Sequence, residues 1–221
     1  MIMKDEQVID IIEKEFKSKT LGLTEQYLKI HSPIYIDQKL KVDRIDRETG
    51  NELITAYLPV LDEKFYIAVI IDTKTSKVIG FYSEAYQRVY FRAISKQLSE
   101  DQLRSMTKLK PTESWNMGDP RKDSKSNYNF SSFIILPNPE PDEFGDKLKK
   151  LLDLLEQDKD GIKRLVDKAN GYIQVAMTIH NANGMIGGPT INKECIQKMN
   201  DLRLEINFDL YVEGKMFKRT Y

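Results

Sequence analysis

Leu204-Glu-Ile-Asn-Phe-Asp-Leu-Tyr-Val-Glu213 alternates apolar and polar side chains without interruption, the two-residue period of a β-strand with one dry and one wet face. Leu204, Ile206, Phe208, Leu210 and Val212 form the expected dry face, and Glu205, Asn207, Asp209, Tyr211 and Glu213 the wet one. Tyr172 to His180 repeats the arrangement, with Ile173, Val175, Met177 and Ile179 inward and Tyr172, Gln174, Ala176, Thr178 and His180 outward. In residues 88–93, Val89, Phe91 and Ala93 oppose Arg88, Tyr90 and Arg92. If these strands share a sheet, its outer face collects Arg, Tyr, His, Asp and Glu and stands open to solvent or to a partner.

Outward from these strands, helical periods alternate with them. Helices are expected at 99–106, 142–156, 160–169 and 192–201, and a further strand at 128–136. Ser99 followed by Gln102 makes a capping box, Asp160-Gly161 restarts helicity, and Thr190 or Asn192 caps the last helix. Leu148, Leu151, Leu152 and Leu155 form a core stripe, with Lys147, Lys149 and Lys150 on the wet side. The order predicts two βαβ units around a helical insert, a ferredoxin-like split βαβ sandwich over residues 87–221.

Before residue 87 the pattern differs. Val8, Ile9, Ile12 and Phe16 mark an amphipathic helix over 5–17, and period-two runs at 33–37, 40–46, 52–60, 64–72 and 77–83 mark an antiparallel meander. Asp46 and Asp72 head two similar turns, where their carboxylates can accept from amides two or three residues on, and Gly50 supplies a positive φ. Such turns need fewer ligands than a calcium loop demands. The expected fold class is therefore α+β in two domains, 1–86 and 87–221, the first a helix plus antiparallel β-meander.

Lys and Arg number 34 and Asp and Glu number 34, so no net field draws polyanions or anionic lipid. The basic stretch from Arg104 to Lys125 is interspersed with Glu113, Asp119 and Asp123, as in a solvated loop. Neither nucleic acid nor membrane is an expected partner. The acidic residues of the first segment do not fit a secretory signal, and no apolar run reaches the roughly 18 residues of a membrane span. One cysteine, Cys195, excludes an intramolecular disulfide and any multi-thiolate site, so the expected location is cytoplasmic.

Chemistry-bearing motifs are sparse. No GxSxG, P-loop or GxGxxG motif is present, and no HxH or HExxH pattern accompanies the two histidines, His31 and His180. No metal, cofactor or catalytic residue is expected on this reading. Cys195, between Ile191, Ile196 and Met199, reads as a small buried hydrophobe. His180-Asn-Ala-Asn-Gly184 is the one segment where an enzyme reading can begin, His180 being oriented by Asp209 or Glu213. Trp115, the only tryptophan, plugs the end of a core or serves as a ligand platform.

The runs Val89-Tyr-Phe-Arg-Ala93, Leu109-Lys-Pro-Thr-x-Ser-Trp-x-x-Gly-Asp119, Ile173-Gln-Val-Ala-Met-x-Ile-His-Asn-Ala-Asn-Gly184 and Leu204-x-Ile-Asn-Phe-Asp-Leu-Tyr-Val212 resemble the bacterial domain of unknown function 4279 over about 88–213. The resemblance implies no reaction. The first region is similar only at fold level to cystatin-like or PepSY-type modules.

The expected function is non-catalytic binding by a bacterial cytoplasmic protein, with an immunity or antitoxin-like role as one version. Its partner would be another protein met at the polar sheet face through Arg92, Tyr172, His180, Asp209 and Tyr211, since Tyr and Arg often anchor interfaces. The alternative is a small-molecule sensor or enzyme with a pocket around His180, Asn181, Asn183 and Trp115. Self-association by strand pairing of the first domain is a third expectation.

Overall fold

A computed structural model describes residues 3–48, 50, 52–122, 125–181 and 188–215. The chain forms two compact units. The first holds residues up to Tyr86 with the described residues of 177–187 and 210–221; the second holds Gln87–Ala176 and residues 188–209. Along the chain the units first change at Tyr86/Gln87. The described residues of the later segments, 177–181 and 210–215, which the sequence assigns to the second domain, join the first unit.

The first unit begins with α1 (Asp5–Ser18) and α2 (Gly22–Leu28). A small ribbon of β1 (Tyr35–Ile36) and β2 (Lys39–Leu40) follows. Then comes an antiparallel meander of β3 (Arg44–Asp46), β4 (Leu53–Pro59), β5 (Phe65–Asp72) and the first part of β6 (Lys77–Ser95). Val8 and Ile12 of α1 enter a buried cluster with Ile54, Leu58, Ile67, Val69 and Phe81, which is why the helix is amphipathic. The Asx turns are present: Asp46 accepts from the Glu48 amide at 2.7 Å, and Asp72 from those of Lys74 and Thr75 at 2.8 and 3.2 Å. Gly50 has φ +73°.

Helix α2 has no counterpart in the sequence reading because its cap comes from another helix. The Glu15 carboxylate of α1 accepts from the Leu21 amide at 3.0 Å and from the Thr24 hydroxyl at 2.8 Å. Burial works to raise the pKa of Glu15, but the hydrogen bonds from Thr20, Leu21 and Thr24 together hold it below the ordinary value. The two strands expected at 77–83 and 88–93 are one, β6. Nothing between Phe81 and Tyr90 breaks an extended chain, and its pairing with β5 runs on to Ala85.

The second unit contains the rest of β6, then α3 (Glu100–Ser105), β7 (Glu113–Trp115), β8 (Ser131–Ile135) and α4 (Phe144–Leu155). A 3-10 turn (Glu156–Asp158) leads to α5 (Lys159–Ala169), β9 (Tyr172–His180), α6 (Lys193–Leu202) and β10 (Ile206–Glu213), of which β9 from Met177 on and β10 from Leu210 on belong to the first unit. The fold class is α+β. Strand β8 returns antiparallel beside β6, so the first of the two expected βαβ crossovers is an antiparallel return. Helix α3, six residues long, is too short for a crossover. The second crossover is present. Bonds from the Ile173 amide to the Glu205 carbonyl and from the Asn181 amide to the Glu213 carbonyl keep one offset, the mark of parallel strands joined through a helix.

Leu148, Leu151, Leu152 and Leu155 are buried as expected. Lys147 is a correction: it is 1 % exposed and not on the wet side. One helical turn from Leu151, it shares that residue's face, and its ammonium donates to the carbonyls of Asn138, at 3.0 Å, and Glu140. Ser99 and Gln102 form their capping box, Asn192 caps α6, and Asp158 caps α5 from two residues ahead of the expected Asp160.

Candidate functional site

Strand β10 ends the strand order, with β9 on its inner side. The expected dry face is wet there: Leu210, Tyr211 and Val212 are 54 %, 52 % and 52 % exposed. An outermost strand buries a face only where a layer lies over it, and no layer of the described residues lies over these three. Glu205, just ahead of β10, and Glu213, at its end, both direct their carbonyls to β9, so the odd-numbered residues between them face β9 as well. By the alternation of a strand, Leu210 and Val212 present N–H and C=O to the edge that, among the described residues, no strand pairs.

Four of the nominated residues gather in the second unit. Burial pushes the Tyr90 phenol above its ordinary pKa; Arg92 and Arg88 pull it back, and Tyr172 and Asp209 add to the rise. Arg92, Tyr172 and Asp209 thus all act electrostatically on one phenol. The Arg92 guanidinium also lies 5.9 Å from the centre of the Trp115 ring and 5.0 Å from that of Phe130. Trp115 sits on β7 and stacks on Tyr128 at 4.3 Å. With Thr112, Asp119 and Lys122 it borders a pocket of about 530 Å³. His180 does not line this pocket. Asn181 and Tyr211 are exposed residues of the first unit, and Asn183 falls outside the described residues.

His180 is the main correction. It does not face outward: it is 2 % exposed. Strand β9 lies inside the sheet, and from Met177 to His180 every residue is buried, so the expected wet face does not exist there. In the first unit the His180 ring packs on Phe65, with centroids 4.4 Å apart, and meets His31 edge to face at 4.5 Å. His31 follows α2 in a loop held to the β4–β5 turn by bonds between Leu61 N and Ser32 O and between Ile34 N and Pro59 O. That turn supplies Glu63. Its Oε1 lies 2.8 Å from His31 Nδ1 and its Oε2 3.7 Å from His180 Nε2. The sequence offered no spacing that could announce this group, because its members come from three distant segments.

Burial lowers the pKa of His180, and His31 lowers it further, while Glu63 and the Lys215 backbone oppose them. The unfolded chain therefore takes up this proton near pH 6.5 and the folded chain only at lower pH. Between the two values the unfolded state binds more protons. Stability is thus complete above about pH 6.5 and is lost as pH falls toward the folded value. Thermal midpoints across this range should fall more steeply for the wild type than for His180→Gln; parallel curves would contradict the burial of a neutral ring.

The profile of the family described as Domain of unknown function (DUF4279) matches residues 83–213. The chain belongs to the DUF4279 family. The matched span begins in β6 and ends with β10, so it includes Trp115, His180 and the exposed edge. No curated protein and no solved structure matches the chain. Among the described residues of this DUF4279 protein, no helix is long and apolar enough to cross a membrane.

Proposed function

We propose that this DUF4279 protein is a non-catalytic binding protein that takes an extended segment of another protein onto the open edge of β10. The supporting observation is the run Leu210-Tyr211-Val212, exposed on both faces of an outermost strand. An unpaired edge offers main-chain hydrogen bonds for affinity, and alternate side chains give specificity. Charge selects the occupant. Glu205, Asp209 and Glu213 lie on one side of the ribbon, and residues 204–213 contain no Lys or Arg. A second copy added antiparallel would gather like charges, whereas a strand alternating apolar and basic residues complements them. The single cysteine, buried in α6, accords with a bacterial cytoplasmic setting for this encounter.

A synthetic peptide alternating valine and lysine is the direct probe. It should bind the full chain more tightly than its valine–glutamate counterpart and weaken with added salt. Leu210→Pro removes an outward N–H, a change that edge strands tolerate, and should weaken binding about tenfold or more. Equal binding of the two peptides, or indifference to Leu210→Pro, would overturn the reading. A dimer of the chain that Leu210→Pro dissolves would replace the basic partner with a second copy.

A further inference from the structure

The chain has two histidines in 221 residues, and both meet the same carboxylate inside the first unit. We propose that His31, Glu63 and His180 form a binding site for one divalent transition ion of the zinc class. One ligand atom from each residue lies within 4.8 Å of the others. A tetrahedral zinc site with bonds of about 2.0–2.1 Å separates its ligand atoms by about 3.4 Å. The gap of 3.7 Å between His180 Nε2 and Glu63 Oε2 is already near that spacing. The 2.8 Å contact between His31 Nδ1 and Glu63 Oε1 has to open by a fraction of an ångström.

A buried ion pair is the competing account of these residues. It needs one imidazole. Here the two rings approach different oxygens of one carboxylate, and all three side chains are at least 96 % buried. The surroundings match those of a held ion. Phe65 packs on both rings, at 4.9 Å from His31 and 4.4 Å from His180, and Tyr27 lies 5.9 and 6.5 Å from them. Such an apolar shell excludes solvent and strengthens each bond to the ion. The Lys215 amide lies 3.3 Å from Glu63 Oε2 as a donor that orients the carboxylate. Gly214, at φ +102°, passes so close that a Cβ there would stand 2.5 Å from the His180 ring and 2.7 Å from Glu63 Oε2.

Donor chemistry selects the class of ion. Two imidazoles and one carboxylate suit zinc and its transition-metal neighbours. Magnesium and calcium call for sets of oxygen ligands. Three protein ligands leave one position for a small oxygen ligand such as water. The ion would bind the loop after α2, the β4–β5 turn and the end of β9 together.

The test uses the tag-free full chain, freed of metal by a chelator and titrated with Zn²⁺. One equivalent should bind, and the side-chain nitrogen resonances of both histidines should shift on binding; having only two histidines makes their signals simple to assign. His180→Gln should lower the affinity about a hundredfold or more, and Cys195→Ser should leave it unchanged. Because the wild-type spectrum reads the ligands directly, a variant that unfolds leaves the test intact. A folded wild type that takes up no Zn²⁺, takes it up without moving both imidazoles, or binds it equally well as His180→Gln would overturn the site.

Discussion

Phe65→Ala should cost about 3–5 kcal/mol of unfolding free energy, the usual loss for a buried phenylalanine cut to a methyl group. Phe65 opens β5 and belongs to the buried cluster of the first unit. Its ring also walls the space in which His31, Glu63 and His180 meet. The substitution therefore has two readouts. Urea denaturation should show the lost stability, and nuclear magnetic resonance titration should show the His180 pKa rising back toward its ordinary value, because burial is its largest depressing influence. Phe65→Leu keeps most of the wall and should lose less on both counts. A cost below about 1 kcal/mol for the alanine variant would mean that the first unit does not pack around this ring.

Lys147→Ala should be the other large loss, about 2–4 kcal/mol, chiefly from the space left by a fully buried side chain, with the loss of its two hydrogen bonds added. The ammonium of Lys147 reaches the Asn138 and Glu140 carbonyls, which belong to the segment leading into α4. The same segment carries Asp142, a buried residue whose carboxylate accepts from Asn138 Nδ2 at 2.7 Å and from Lys150 Nζ at 2.9 Å. Gln87 donates to its backbone carbonyl at 2.8 Å. Removing one buried donor loosens a connected polar network. Lys149, two residues on, is the control: it pairs with Asp153 at the surface, and its alanine variant should leave the urea midpoint almost unmoved. Equal midpoints for the Lys147 and Lys149 variants would contradict the burial of Lys147.

Local features were the most legible in the sequence. The amphipathic α1, the two Asx turns, the Ser99 capping box and the leucine stripe of α4 each depend on residues within a few positions of one another. The trio His31, Glu63 and His180 is not legible, because it is assembled by contacts among three segments distant in sequence: the loop after α2, the β4–β5 turn and the end of β9. Helix α2 is not legible in its own residues, since Glu15, in the preceding helix, supplies its cap. Alternation in β9 and β10 gave the strands but misled about their surroundings. A period of two fixes which residues share a side and leaves open whether a layer covers it. In β9 both sides are covered from Met177 to His180, and in β10 from Leu210 to Val212 neither is.

The metal site and the strand edge make separate demands on the molecule, so each can fail without the other. The edge is the central claim, and amide hydrogen exchange along β10 tests it most directly. In the free chain the amides of Leu210 and Val212 should exchange quickly, while those of Asp209 and Tyr211, directed at β9, exchange slowly. Saturation with the valine–lysine peptide should protect Leu210 and Val212. If those two amides are already protected in the free chain, or stay unprotected when the peptide is bound, the edge is not where a partner strand adds.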